Sequence, residues 1–193
     1  MKYRQYRIPL VFGGLLTIFV LGVFLLQQLT QPEEMTQVVS QKVEPVQTTL
    51  EKKEEVICPV SEDVEIVRYF YEVDGEHNQE ALDYFEGVYR QSLGIDYGSE
   101  KTFDVLASLS GTVEDVKKDA ILGLCVTIQC DEGISLIYQS LANVQLEEGQ
   151  TVRQGDVLGQ SGYNVYEAEL GNHVHFTIEK DNEPINPLTV IKS

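Results

Sequence analysis

The hydrophobic pattern divides the chain into three parts. An uncharged apolar run extends from Ile8 to Leu26, a polar segment follows as far as about Ile57, and short apolar runs separated by turn residues fill the remainder. As a helix, the first run spans roughly 28 Å at 1.5 Å per residue, which matches the hydrocarbon core of a membrane. We therefore predict a transmembrane helix over residues 8–28, preceded by a cytoplasmic tip at residues 1–7.

Charged residues on either side of the apolar run predict its orientation. Lys2, Arg4 and Arg7 precede it, whereas Glu33 and Glu34 follow it, so the positive-inside rule places the N-terminus in the cytoplasm. A cleaved signal peptide is the alternative, but the run is longer than a usual signal-peptide core and no A-x-A-like cleavage site follows it. The pattern favours a single-pass membrane protein with an uncleaved anchor and an extracytoplasmic C-terminal domain.

The charge beyond the anchor limits the classes of partner. Residues 29–57 are polar, contain Pro32 and Pro45, and predict an extracytoplasmic linker. All 31 acidic residues and 11 of the 14 basic residues follow the anchor, which gives this part a formal net charge of −20. Such a field repels nucleic acid and anionic lipid. The charge either keeps a tethered domain soluble or favours a basic protein partner.

The periodicity of the folded part changes along the chain. In residues 58–91, VEIVRYFY alternates like a strand, and EALDYFEGVYRQSL places Leu82, Phe85 and Tyr89 at helical spacing. We therefore predict a strand and a short amphipathic helix there. Residues 92–193 contain short β-rich runs cut by turns, including LCVTIQC, ISLIYQSL and HVHFTIEK. This pattern predicts a mainly β domain, an antiparallel sandwich or barrel.

Two of the three histidines suggest a metal site. His173 and His175 are two apart in a predicted strand, so their side chains should project from the same face. Paired imidazoles are a natural start for a zinc site, but catalytic zinc needs at least three protein ligands.

The three cysteines predict no metal cluster. Cys125 and Cys130 are five apart in a strand pattern, so they should point to opposite faces and not pair with each other. Either one can pair with Cys58 or remain a free thiol.

A series of motifs resembles the LytM or lysostaphin-type zinc metallopeptidases, whose duplicated-hybrid-motif β-domain cuts peptide bonds in peptidoglycan. The family pattern runs H-x-G-[IV]-D, G-x-V, Y-x-H-L, a glycine-punctuated V-x-x-G repeat, H-[LV]-H-F and a closing proline. This chain reads SLGID at 92–96, GTV at 111–113, YQSL at 138–141, VQLEEGQTVRQGDVLG at 144–159, HVHF at 173–176 and INP at 185–187.

The resemblance implies roles for four positions. The zinc ligands would be Ser92, Asp96 and His175, and His173 would be the catalytic histidine. Serine replaces the family's first histidine, and a neutral hydroxyl is a poor zinc ligand, so Asp96 and His175 are remnant ligands. No cofactor is therefore expected, and zinc is expected only if the domain is an enzyme.

A second departure from the family pattern occurs in YQSL. The family usually has a further histidine here, whereas this chain has Gln139 and Ser140, and glutamine donates a hydrogen bond but does not transfer a proton near neutral pH. The two replacements together favour a pseudoenzyme in which His173 is inactive. An active zinc metalloendopeptidase that cleaves peptidoglycan peptides is the alternative. A biotinyl or lipoyl carrier domain, with Lys117 or Lys118 as the modified residue, would leave HVHF unexplained.

The order of the parts resembles a sporulation-specific group within this family, which combines one membrane span, a stalk and a LytM-like domain with serine at the first ligand position. The resemblance implies residence in the forespore membrane, with the domain facing the space between forespore and mother cell. The implied partner is a mother-cell membrane protein with a ring-forming domain, the sporulation protein called AH, in a channel or zipper that supports engulfment. Peptidoglycan is a further candidate partner.

Overall fold

The computed structural model describes residues 54–61 and 63–192. The predicted cytoplasmic tip, the predicted transmembrane helix and most of the predicted linker lie outside the described residues. Among the residues that are described, no helix has both the length and the apolar character needed to cross a membrane.

The described residues form twelve β-strands and three short 3₁₀ helices. The strands are β1 (Glu65–Arg68), β2 (Leu82–Phe85), β3 (Val88–Gln91), β4 (Ile95–Gly98), β5 (Asp104–Leu106), β6 (Gly111–Asp119), β7 (Gly123–Gln129), β8 (Ile134–Ala142), β9 (Thr151–Val152), β10 (Val157–Ser161), β11 (His173–Lys180) and β12 (Glu183–Ile185). The 3₁₀ helices are Asp131–Gly133, Ala168–Leu170 and Pro187–Thr189.

Most of the strands join one antiparallel sheet. Its neighbour order is β1-β4-β11-β8-β7-β6-β9, β12 pairs with β11, and β10 pairs with both β5 and β8. Strands β2 and β3 form a separate two-stranded sheet. The prediction of a mainly β, antiparallel fold is confirmed.

Strand β11 is an interior strand of the large sheet, and both of its faces are buried. Val174, Phe176 and Ile178 point into the hydrophobic core, where the burial of apolar surface stabilises the fold. His173 and His175 alternate with them and lie together on the opposite face. The sheet therefore holds the two imidazoles in fixed positions on the buried face opposite the hydrophobic core.

The predicted amphipathic helix before the domain is wrong, because this segment forms the β2–β3 hairpin. Glu86 and Gly87 make its two-residue turn, with φ values of 50° and 83°. Positive φ at both positions is the geometry of the tight hairpin turn that matches the strand twist. Tyr84 and Tyr89 then face each other across the strands, with ring centroids 4.9 Å apart. The predicted strand before the hairpin is present as β1.

The cysteines are three free thiols. Cys125 and Cys130 are buried and Cys58 is partly buried, so none of the disulfides left open by the sequence is present. Burial raises the pKa of Cys125, and it raises the pKa of Cys130 to about 11.

Candidate functional site

Four neighbouring strands place one polar residue each in a single row across the sheet. Arg68 of β1 is the cross-strand partner of Asp96 in β4, Asp96 is the partner of His175 in β11, and His175 is the partner of Gln139 in β8. Directly opposed residues of neighbouring strands project from the same face. The sheet register thus assembles the row from four separate segments of sequence.

A groove of about 300 Å³ lies along this face. Its lining includes Asp83, Gln139, Tyr166, Glu167 and His175. Of the two residues that replace the family's histidine segment, Gln139 lines the groove. Ser140, which follows it, is buried with a φ of 66°, and its hydroxyl oxygen has no hydrogen-bond partner among the described residues.

Ser92 lies just before β4 and is fully buried. Its hydroxyl donates a hydrogen bond to the carbonyl oxygen of Gly94 at 3.2 Å. Gly94 leaves space for the neighbouring strand, since a Cβ atom there would lie 2.6 Å from His175 Nε2. Gly94 thus allows the close approach of β11. The hydroxyl of Ser92, at the first ligand position, makes a local hydrogen bond.

His175 makes a buried ion pair with Asp96. Its Nδ1 lies 3.0 Å from Asp96 Oδ1 and 3.2 Å from Glu167 Oε1, and its Nε2 lies 3.2 Å from Thr177 Oγ1. Burial lowers the pKa of His175, but the two carboxylates outweigh burial and raise that pKa well above its ordinary value. The two acids therefore favour the charged form of the His175 ring.

Glu167 joins the two histidines and was not identified from the sequence. It precedes the second 3₁₀ helix and is 1% exposed. Its Oε2 accepts a hydrogen bond from Asn164 Nδ2 at 2.7 Å and lies 3.3 Å from His173 Nε2, while Oε1 faces His175. Burial raises the pKa of Glu167, but these donors outweigh burial and lower it overall. Glu167 is therefore a carboxylate with both oxygens engaged.

His173 is fully buried and has an acceptor at each ring nitrogen. Nδ1 lies 2.8 Å from the carbonyl oxygen of Gly171, and Nε2 lies 3.3 Å from Glu167 Oε2. Burial lowers the pKa of His173, whereas these acceptors raise it, and the net shift is upward. Nε2 also lies 3.2 Å from the amide donor Asn164 Nδ2. Whether Nε2 donates to Glu167 or accepts from Asn164, it is engaged within the protein and is not free to accept a proton from a reacting group.

Arg68 completes the cluster and was also not identified from the sequence. Its guanidinium is buried, with Nη1 2.8 Å from Asp83 Oδ1 and 3.8 Å from Glu167 Oε1, and with Nη2 2.8 Å from Glu169 Oε1. The Nη1 contact with Asp83 is an ion pair whose angles are not those of a hydrogen bond. Burial lowers the pKa of Arg68, but four acids outweigh burial and raise that pKa: Glu169, Asp83, Asp96 and Glu167.

Zinc is the metal that the family resemblance implies, and the residues present do not fit it. Asp96, Glu167 and His173 offer ligand atoms within 4.8 Å of one another, but Glu167 and His173 are already engaged. Within this group, Asp96 Oδ2 is the carboxylate oxygen without a hydrogen-bond partner, whereas zinc needs at least three deprotonated protein ligands. The guanidinium of Arg68 also opposes a dication beside Glu167.

The third histidine of the chain, His77, does not join this cluster. Its ring stacks on Tyr69 with centroids 3.9 Å apart, and its Nδ1 lies 2.9 Å from Glu80 Oε2. The cluster therefore contains the three family positions Asp96, His173 and His175, together with the acids and the arginine around them.

The sequence of this chain is similar to those of known proteins. Stage II sporulation protein Q of Bacillus subtilis (strain 168) is 46% identical over 141 residues, which cover 70% of this chain and 50% of that protein. The DD-carboxypeptidase/endopeptidase Mpg of Neisseria meningitidis serogroup B is 29% identical over 103 residues, 53% of this chain and 23% of that protein. The chain thus spans half the length of the first relative and about a quarter of the second.

A solved structure covers the same region. The structure of the SpoIIQ-SpoIIIAH pore forming complex contains a chain that superposes with a TM-score of 0.70 at 44% identity, covering 73% of this chain and 93% of that one. The model of peptidase family M23 matches residues 90–187, about half of the chain. The sequence motifs, the sheet that carries them and this match all lead to one assignment: the chain belongs to peptidase family M23.

Proposed function

We propose that this protein is a catalytically inactive M23-type domain that acts as an interaction module in sporulation. The observation that carries the proposal is the 44% identity over 93% of the SpoIIQ chain in the SpoIIQ-SpoIIIAH complex. The partner would be a protein of the SpoIIIAH type in the mother-cell membrane. The domain would form the forespore side of a channel or zipper that connects the two cells during engulfment.

The internal contacts of the site residues support the proposal that the domain does not hydrolyse peptides. Peptide cleavage in this family requires a group that activates water, and general-base catalysis requires a free lone pair at the right position. Ser92 donates to Gly94, and His173 has an acceptor at both nitrogens. Ser92 and His173 thus make contacts within the protein. No cofactor is part of this proposal.

The predicted anchor supports the location. A span at residues 8–28 with basic residues before it would hold the C-terminal domain outside the cytoplasm. A linker of 29 residues would let the domain stand off its own membrane by roughly 30 Å as a flexible coil. This reach would suit a partner held in an opposing membrane.

The experiment measures binding between the full chain, reconstituted in lipid nanodiscs, and the soluble domain of the SpoIIIAH-type protein from the same organism. We expect saturable binding whose Kd changes less than about threefold after treatment with EDTA, because the proposed interaction does not use a metal. Asp96→Asn serves as a matched variant within the site and should also leave Kd within that range. Absence of binding by the wild-type chain would refute the proposal.

Active zinc metalloendopeptidase is the second candidate function, and one observation favours it. Asp96, Glu167 and His173 are a mixed carboxylate and imidazole set with ligand atoms within 4.8 Å of one another, and such sets bind zinc in hydrolases. Metal-dependent release of peptides from peptidoglycan would support this alternative.

A further inference from the structure

The cation in this site comes from outside the family domain. Arg68 lies in β1, and Asp83, its 2.8 Å partner, lies in the β2–β3 hairpin, whereas the family model matches residues 90–187. The pairing of β1 with β4 places Arg68 directly opposite Asp96. The extension before the domain therefore supplies both a guanidinium and a further acid, and the guanidinium also reaches Glu167 of the family domain at 3.8 Å.

The burial of the acids makes a nearby cation favourable whenever they are ionised. Asp83, Asp96 and Glu167 are 4%, 0% and 1% exposed, and an ionised carboxylate without a counter-charge is strongly unfavourable in such surroundings. Arg68 is the permanent cation among these groups, because a guanidinium does not lose its proton in proteins. The histidines carry a positive charge only while they are protonated.

We propose that Arg68 is the resident cation of this site: its guanidinium neutralises the buried carboxylates as a metal ion would, and it opposes metal binding even when the missing histidine is restored. Two features then oppose zinc binding. The first is serine at position 92, and the second is Arg68, which lies outside the motifs of the family. The inference concerns charge within the fold and does not depend on the identity of the protein's partner.

The test compares four full-length chains purified in detergent and stripped of metal: wild type, Ser92→His, Arg68→Met and the double variant. Zinc alone is titrated in competition with a chromophoric chelator. We expect the double variant to bind one zinc about 10 to 100-fold more tightly than Ser92→His, the effect typical of residues that neighbour a metal site. Equal affinity of Ser92→His and the double variant, or tight binding by wild type, would overturn the proposal.

Thermal unfolding supplies a second readout. Arg68→Met should lower Tm by roughly 6 °C or more, because it leaves buried acids without their fixed counter-charge. Arg153→Met, a matched change of an exposed arginine, should lower Tm by less than about 2 °C. Zinc should raise the Tm of the double variant and leave that of wild type unchanged.

If Arg68→Met does not fold, a second pair of chains tests the same proposal. In that event both zinc titrations are repeated in an Asp83→Asn background, so that the chain with Arg68→Met has lost both partners of the ion pair and leaves no unpaired Asp83. The affinity difference between Ser92→His and Ser92→His/Arg68→Met is expected to persist there, and its absence would overturn the proposal. Equal Tm values for Arg68→Met and Arg153→Met would likewise overturn the counter-charge role of Arg68.

Discussion

Arg68 in β1 and Asp96 in β4 are direct cross-strand partners. Through this pairing, a strand that precedes the family domain places a guanidinium beside the acid that the family uses as a metal ligand. His175 approaches the same acid from β11, on the other side of β4. Asp96 therefore lies between Arg68 and His175 in the cross-strand row, and one of these two neighbours comes from a segment outside the matched domain.

Glu167 is expected to be a major contributor to stability. Glu167→Gln should lower the free energy of unfolding by about 3 to 5 kcal/mol, because it removes the negative charge from a buried set of charges and turns one of the two oxygens that face His173 and His175 into an amide donor. Urea unfolding followed by circular dichroism measures the change.

Glu169→Gln is the matched control for that experiment. Glu169 also contacts Arg68, at 2.8 Å, but its side chain is 48% exposed, so its loss should cost less than about 1 kcal/mol. If the two variants lose equal stability, the buried bridge between the histidines does not have the role described here.

The ionisation of Asp83 predicts a pH dependence. Burial, followed by the charge of Glu167, raises its pKa to about 6, although Arg68 acts in the opposite direction. A raised folded-state pKa gives stability that is complete below the unfolded pKa, near 4, and is lost as the pH rises through about 6. The stability of wild type relative to Asp83→Asn should therefore fall by about 3 kcal/mol between pH 4 and pH 7.

Urea titrations of the two chains at several pH values measure this difference. The comparison cancels the groups that both chains share, and it separates the pH-dependent part from any constant cost of weakening the Arg68 contact. A difference that stays flat across this range would show that Asp83 is not a strained acid in the folded state.

The buried thiols should react slowly. With a pKa of about 11, the thiolate fraction of Cys130 at pH 8 is about one in a thousand, and the thiolate is the reactive form. We expect iodoacetamide to modify Cys130 at least roughly 100-fold more slowly in the native protein than in urea. Mass spectrometry of the digested protein follows the modification, and rapid labelling in the native state would contradict the burial of this residue.

Alternation made most of the fold predictable from sequence. In β11 the core residues Val174 and Phe176 alternate with His173 and His175, and this period of two is visible in HVHFTIEK. The hairpin was mistaken for a helix because Leu82, Phe85 and Tyr89 also satisfy a helical period. Gly87 was the available signal, since glycine inside a helical pattern is unfavourable and suits a left-handed turn position.

The site was only partly predictable. The two-residue spacing of His173 and His175 indicates a shared face, the resemblance to the family motif implies Asp96, and the structure brings these three together. Glu167 lies in a loop whose position relative to the sheet is not encoded in any local period. Arg68 reaches the site through the β1–β4 register, and pairing between strands distant in sequence depends on the whole fold. Neither residue could be found from spacing alone.

The proposed function is partner binding without peptide hydrolysis. The most direct measurement incubates the full chain with purified peptidoglycan and zinc, and quantifies released peptides by mass spectrometry beside His173→Ala and an EDTA-treated sample. We predict that the wild-type chain releases no more peptide than either control. Release that disappears in both controls would contradict the claim and identify the protein as a working zinc endopeptidase.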